Sequence, residues 1–437
     1  MTETIRARAQ ALLPELTAIR RDFHRFAEPG WMEMRTTSLL TRRLTDLGYE
    51  VLTGPAVCKA DARMGLPSAD ALEAHYKWAQ ENGADPEFLP VTRGGFTGVI
   101  ATLHCGEGPT VALRFDIDAL GVLEASDETH LPHREGFASV TPGVMHACGH
   151  DGHAAVGIGT AMLLRELRGQ LHGTVRLIFQ PAEEGVRGAS SVVAAGHLDG
   201  ADYALAAHVF PAGKAAGLVD IGVLKENGQG GLATSKLDVT FRGRSAHAGI
   251  APQEGRNALL AAATAVLNLH AIPCFGSTPT QLNVGTLHAG TGRNVICETA
   301  KLELEVRGQT TEANEYMLRR AQQIVKSAAE MQDCTVETQA MGHAAALTCD
   351  WTLSERVERV CKETLGLRVM RVGSLGGGSE DFSCMAQRVQ QQSGQAAYVG
   401  LLCACPAANH NDHFDFDEQA LANGAAMFTA VTASLLA

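Results

Sequence analysis

The stretch Met145-His146-Ala147-Cys148-Gly149-His150-Asp151-Gly152-His153 gathers one cysteine, three histidines and one aspartate into nine residues. Thiolate and imidazole are donors that transition-metal ions take up readily. Gly149 permits a tight backbone, so Cys148 and His150 can face one point. A second signal follows at Phe179-Gln180-Pro181-Ala182-Glu183-Glu184. Adjacent residues on an extended chain point opposite ways. One carboxylate can therefore bind metal while its neighbour addresses a substrate or an attacking water.

Further donors lie far apart in the sequence. His208 closes the apolar run Tyr203–Ala207, and His410 and His413 compete within Ala408-Asn409-His410-Asn411-Asp412-His413-Phe414, where spacing alone cannot separate them. The glycine-rich run Gly373-Ser374-Leu375-Gly376-Gly377-Gly378-Ser379 offers backbone N–H groups to an anion, but it has no lysine at P-loop spacing and does not suggest a nucleotide. Arg293, in a turn after Gly292, can pair with a carboxylate. Other chemistries fit less well. No Gly-x-Ser-x-Gly elbow marks a serine hydrolase. Cys148 as a thiol nucleophile leaves the surplus of metal-type ligands unexplained.

These residues need a scaffold. Leu12, Leu16, Ile19, Phe23 and Phe26 recur at steps of four and three, which predicts an amphipathic helix over 5–26. A second helix over Thr36–Leu47 should stop at Gly48. Strands are expected at Gly98–Leu103, Thr110–Phe115, Thr174–Phe179 and Tyr203–Val209, with a helix over Ala154–Leu167. Alternating strands and helices predict an α/β sheet with helices on its faces, and Asp116, Glu183, Glu184 and His208 fall at or just past strand ends. After Gly228-Gln229-Gly230-Gly231 a strand-helix-strand-strand-helix order suggests a small α+β domain. The expected domains are therefore 1–230, 231–344 and 345–437, the last rejoining the first. Residues 58–96 look like an insertion carrying one helix, Ser68 to Asn82, with Leu72, Tyr76 and Ala79 on one face. A solvated surface decoration is its plainer reading and a functional lid the other.

Bulk composition narrows the partners. With 437 residues and 45% apolar content the chain suits more than one globular domain. A net charge of -12 argues against nucleic acid and anionic membranes. Eleven cysteines without a scaffold spacing suggest reduced thiols in the cytoplasm. The Ala-rich run Ala420–Ala437 is too polar for a membrane span and reads as a buried helix.

Taken together, Arg20–His24, Ala112–Leu120, Met145–His153, Phe179–Gly185, Ala246–Gly249 and Gly292–Ile296 resemble the M20 family of metallopeptidases and amidohydrolases, in its aminoacylase-like branch. The resemblance implies a two-domain fold, an α/β catalytic domain with an inserted α+β dimerisation or lid domain. It implies two divalent ions, Mn²⁺ or Zn²⁺, held by Cys148, His150, Glu184, His208 and His410, with Glu183 as general base and acid. It also implies a homodimer in which His247 serves the other protomer's site, and a substrate carboxylate near Asn257, Arg293, Gly376, Gly377, Gly378 and Ser379. A closer match in Ala27–Trp31, Arg63–Pro67 and Phe414–Glu418 points to hydrolysis of an aromatic N-acyl acidic amino acid. The first expectation is p-aminobenzoyl-glutamate, and indole-3-acetyl-aspartate is the alternative. This match also raises a heteromer with a related B subunit. The reading from another class is a non-catalytic metal-binding or scaffold component of a two-part hydrolase.

Overall fold

The computed structural model describes residues 2–375 and 378–437, in two compact units. Unit 1 holds residues up to Gly231 with Leu347–Gly377 and Asp381–Ala437, and unit 2 holds Leu232–Ala346 with Gly378–Glu380.

Unit 1 is built on an eight-stranded sheet. Its strands are β1 (Glu50–Thr53), β2 (Val99–His104), β3 (Thr110–Asp116), β4 (Thr174–Gln180), β5 (Tyr203–Pro211), β6 (Ile221–Gln229), β11 (Val369–Ser374) and β12 (Gln395–Cys403). The order is β1-β2-β4-β3-β5-β12-β6-β11. The centre, β4-β3-β5-β12, is parallel. Period-two alternation sorts the side chains: Val111, Leu113 and Phe115 enter one core and Ala112 the other, as do Leu177 and Phe179 against Ile178. Both faces are buried, as a parallel sheet requires.

The helix Thr2–Arg25 buries Leu12, Leu16, Ile19 and Phe23 beside the helices His150–Leu167 and Gln419–Leu435. The C-terminal helix is thus a core element, and among the described residues no helix is long and apolar enough to cross a membrane. The second helix spans Met34–Asp46, with Gly48 beyond it at φ 78°. The insertion forms the helix Ala69–Glu81, capped by Ser68 Oγ, which accepts the Ala71 N–H at 3.2 Å. Leu72, Tyr76 and Ala79 pack with Met34, Ala84 and Leu89 in a small core of their own, so this segment is more firmly seated than a solvated decoration would be.

Unit 2 is a four-stranded antiparallel sheet, β10-β7-β9-β8, made of β7 (Ala233–Arg242), β8 (Thr280–Ala289), β9 (Thr299–Gly308) and β10 (Thr335–Ala344). The helices Ala258–Leu269 and Thr311–Glu330 cover one face, where Ala262, Ala265, Met317 and Val325 meet Leu237, Leu302 and Leu304. Strand β10 is an element the sequence pattern did not predict. It is an edge strand with mostly exposed side chains and no apolar alternation to read.

Candidate metal centre

The four central parallel strands of unit 1 deliver groups at or beyond their C-terminal halves, where open α/β sheets place their sites. Asp116 ends β3, Glu183 and Glu184 follow β4, His208 lies on β5, and the chain beyond β12 leads to His410. Cys148 and His150 flank Gly149, which at φ 87° is the N-cap of the helix His150–Leu167. The helix therefore begins at His150, four residues before the expected Ala154, and fixes that side chain in its first turn.

Five sequence-predicted ligands fall together here. The donor atoms of Cys148, His150 and His208 lie within 4.8 Å of one another, and so do those of Cys148, Glu184 and His410. Cys148 belongs to both groups. Its Sγ is 3.3 Å from His208 Nε2, and His410 Nε2 is 3.5 Å from Glu184 Oε1. Glu183 joins at the edge, its Oε2 3.9 Å from His150 Nε2.

Backbone geometry separates His410 from His413. His410 adopts φ 68° and donates its N–H to Ala147 O at 2.7 Å, which turns it toward Cys148 and Glu184. His413 instead pairs with Asp412 at 2.8 Å and Asp127 at 2.7 Å, and belongs to neither donor group.

The donor set fits divalent ions. Both ring nitrogens of His150 and Oε1 of Glu184 are buried with no well-formed hydrogen bond. His150 Nδ1 has only Asp118 Oδ1 at 3.4 Å, and Glu184 Oε1 only His410 Nε2 at 3.5 Å, so the site leaves donor capacity for an ion. His208 donates Nδ1–H to Val209 O at 2.7 Å, which leaves Nε2 free as a donor, the arrangement ligating histidines adopt. Burial and the nearby His153 hold the His208 pKa well below its ordinary value, so the ring is neutral. Burial opposes charge on His150 too, but Asp116, Asp118 and Cys148 outweigh it and hold that pKa well above the ordinary value. Hydrogen bonds to Cys148 and Glu184 likewise raise His410 to about 10. The surrounding carboxylates and thiol thus draw positive charge to His150 and His410, while His208 stays neutral.

His153 is different despite its place in the motif. Its Nε2 accepts the Val209 N–H at 2.9 Å, so Nδ1 carries the proton and meets Asp116. Both nitrogens are engaged, and His153 supports the site without being free to ligate.

Several supporting residues were not singled out from sequence. Asp118 accepts the N–H groups of Glu183 at 3.0 Å and Glu184 at 2.9 Å. Glu33 accepts the N–H of Ala182 at 2.7 Å, and Asp381 accepts those of Gly188 at 3.2 Å and Ala189 at 2.9 Å. They hold a strained loop, since Ala182 at φ 51° and Val186 at φ 58° sit in left-handed backbone, worth about 1–3 kcal/mol each. The only signal available was the acidic residue type, because the partners are backbone groups distant in sequence.

Behind the ligands lies a buried ionic network. Arg20 meets Asp151 at 2.8 Å and Asp415 at 2.7 Å, and His24 bridges Asp151 at 2.8 Å and Glu124 at 2.9 Å. Burial alone would depress the His24 pKa, but its hydrogen bonds to both carboxylates raise it to about 9. A raised histidine pKa contributes stability that is complete below the unfolded value of about 6.5 and is lost as pH rises through about 9. The contribution is on the order of 3 kcal/mol. Urea unfolding of metal-free protein at pH 6 and pH 9.5 should show this loss in the wild type and a flatter dependence in His24→Gln. Equal pH dependence in the two proteins would rule out His24 as its source.

Of the remaining sequence-predicted residues, His247, Asn257, Arg293, Gly378 and Ser379 lie in unit 2. His247 is exposed on a loop whose neighbours pair with the 294–296 segment, through Ala248 N–H to Asn294 O at 3.0 Å and Ile296 N–H to Ala246 O at 2.9 Å. Arg293 is exposed just before that segment. Asn257 caps the helix Ala258–Leu269, its Oδ1 accepting the N–H groups of Leu259 at 3.1 Å and Leu260 at 3.3 Å. Gly378 accepts the Leu232 N–H at 3.0 Å, and Ser379 follows it. Gly376 and Gly377 lie outside the described residues.

Residues 112–434 match the model of peptidase family M20/M25/M40. The chain is 45% identical to the indole-3-acetyl-aspartic acid hydrolase of Enterobacter agglomerans, over 94% of this chain and 93% of that protein. It is 44% identical to the A subunit of the p-aminobenzoyl-glutamate hydrolase of Escherichia coli, over 96% and 95%. Among solved structures, the aminobenzoyl-glutamate utilization protein of Klebsiella pneumoniae aligns with a TM-score of 0.82 at 38% identity, covering 98% of this chain and 97% of that one. A dinuclear metal-binding peptidase of the M20 family from Bacillus subtilis aligns with a TM-score of 0.66 at 26% identity, covering 98% and 99%.

Proposed function

Because this chain belongs to peptidase family M20/M25/M40, we propose that it is a dinuclear metal-dependent amidohydrolase cleaving the linear amide of an aromatic N-acyl acidic amino acid. The observation that carries this reading is Glu183, a carboxylate at the edge of the donor cluster beside Glu184. A metal store or a scaffold component needs the ligands but not this neighbour.

Cys148, His150, Glu184, His208 and His410 would hold two ions. Thiolate and imidazole favour Zn²⁺, and the carboxylates also suit Mn²⁺. When bound, the ions supply Lewis acidity that acidifies water and polarises a carbonyl. Glu183 takes the proton of the attacking water and returns it to the leaving nitrogen. Asp118, through the backbone of Glu183 and Glu184, keeps the two carboxylates in their separate tasks.

For unit 2 the assignment is to substrate. Arg293, Asn257 and the Gly376–Ser379 loop engage the carboxylate of the leaving amino acid. In a homodimer, the partner's His247 stabilises the oxyanion. The exposure of His247 and Arg293 at one end of unit 2 supports this. The eleven cysteines are all free, in keeping with a cytoplasmic protein.

The substrate reading is p-aminobenzoyl-glutamate, supported by the 44% identical Escherichia coli relative. Indole-3-acetyl-aspartate is the second reading, supported by the 45% identical hydrolase. The test is amino acid release by the purified chain alone, loaded with Mn²⁺ or Zn²⁺, with and without chelator. Chelator-sensitive release is expected, and kcat/KM chooses the acyl group. No release from either substrate with both ions bound would overturn activity of the chain alone and point to a required B subunit or another amide.

A further inference from the structure

The insertion reaches the catalytic loop through one side chain. Arg187 donates Nε–H to Glu184 O at 2.8 Å and Nη1–H to Gly65 O at 3.0 Å. Glu184 is a candidate ligand, and Gly65 lies in the insertion. The third guanidinium nitrogen, Nη2, fills the space that a Cβ on Gly30 would need. The insertion also grips the 28–31 segment twice: Met64 O accepts Trp31 Nε1–H at 2.6 Å, and His75 Nε2 lies 2.9 Å from Glu28 Oε1. A planar fork with fixed donor directions suits such a multi-point junction better than a lysine would.

We propose that Arg187 is a positioning residue that ties the insertion to the loop presenting Glu183 and Glu184, so that the insertion is part of the catalytic apparatus. Asp118, Glu33 and Asp381 hold N–H groups of the loop or of the residues just after it. Arg187 holds a carbonyl, that of Glu184, from the opposite polarity. With Arg187 removed, the loop keeps its N–H anchors, including that of Glu184 on Asp118, but the Glu184 carbonyl loses the group that orients it. The carboxylate on that residue then loses its fixed direction toward Cys148 and His410. The turnover part of this inference rests on the amidohydrolase reading, and the metal-binding part does not.

The test uses four full-length variants: Arg187→Met, Arg187→Lys, Gly30→Ala, and Gly30→Ala combined with Arg187→Met. Gly30→Ala displaces the guanidinium without touching its charge, and its Cβ also meets Ala182 Cα of the same loop at 3.0 Å. Each protein is titrated with Mn²⁺ by calorimetry, melted without metal, and assayed. We expect affinity for at least one ion to fall about 10- to 100-fold in Arg187→Met and Gly30→Ala, as for other outer partners of metal ligands. The double variant should lose clearly less than the sum of the two single losses, because both changes break the same junction. Arg187→Lys should not restore affinity. Metal-free melting should stay close to wild type, and kcat should fall with KM little changed. Wild-type metal affinity in Arg187→Met, full rescue by lysine, or additive losses in the double variant would overturn the proposal. If the wild type releases no amino acid, the function reading fails, while the metal titration still decides this one.

Discussion

Glu183→Gln should bind both metal ions with near wild-type affinity and turn over substrate about 10²- to 10⁴-fold more slowly, the usual worth of a positioned acid–base group. The substitution keeps the volume of the side chain and the backbone N–H that Asp118 receives at 3.0 Å. It removes only the capacity to take up a proton. Glu184 is not a substitute, because its carboxylate is directed to Cys148 and His410. Glu184→Gln should fail differently, with lower metal affinity and lower rate together. Metal content by mass spectrometry and kcat by steady-state kinetics separate the two. A Glu183→Gln protein within a few-fold of the wild-type kcat would remove Glu183 from the mechanism.

Arg20→Met should cost about 3–5 kcal/mol of stability, the expected penalty for removing one partner of a buried ion pair. Arg20 is fully buried, with Asp151 at 2.8 Å, Asp415 at 2.7 Å and Glu418 at 3.2 Å. Its guanidinium also stacks 4.5 Å from the Phe416 ring centroid. Methionine fills the space but leaves Asp151 and Asp415 buried with less compensation. Lysine offers a point charge where a fork serves three carboxylates, so Arg20→Lys should recover little. Adding Asp415→Asn to Arg20→Met should recover part of the loss. The measurement is denaturant unfolding of metal-free protein. A loss under about 1 kcal/mol would mean that the network behaves like an exposed one.

Legibility in the sequence followed how local the physics was. Cys148 and His150 were readable because residue type and spacing sit together within one turn. Glu183 and Glu184 were readable as a pair, but they sit in the turn after β4 and not on extended chain, so the expected opposite directions do not hold: their donor atoms lie with that of His150 within 4.8 Å of one another. His410 and His413 were not separable, because the difference between them is a backbone angle and a hydrogen bond to Ala147 O. The loop anchors were hidden for a related reason. Asp118 meets Glu183 across 65 residues, and Asp381 meets Ala189 across 192. In each case the partner is a main-chain N–H that any residue carries. The sheet was legible where strands alternate or run apolar, as in β3, β4 and β5. In the second sheet, that of unit 2, the edge strand β10 was not legible, because it has little apolar surface to bury.

The position of β12 bears on how the chain is made. This strand is synthesised after all the others, yet it lies between β5 and β6. A growing polypeptide leaving the ribosome therefore completes β5 and β6 before the strand that joins them exists, with a slot that only a later stretch can close. Such edges invite pairing with neighbouring chains. His410, Asp415 and Glu418 arrive in the same late stretch as β12. Sheet closure, the last metal donor and two of the carboxylates around Arg20 are therefore delivered together, and a ribosome that stalls before residue 395 releases a product lacking all three.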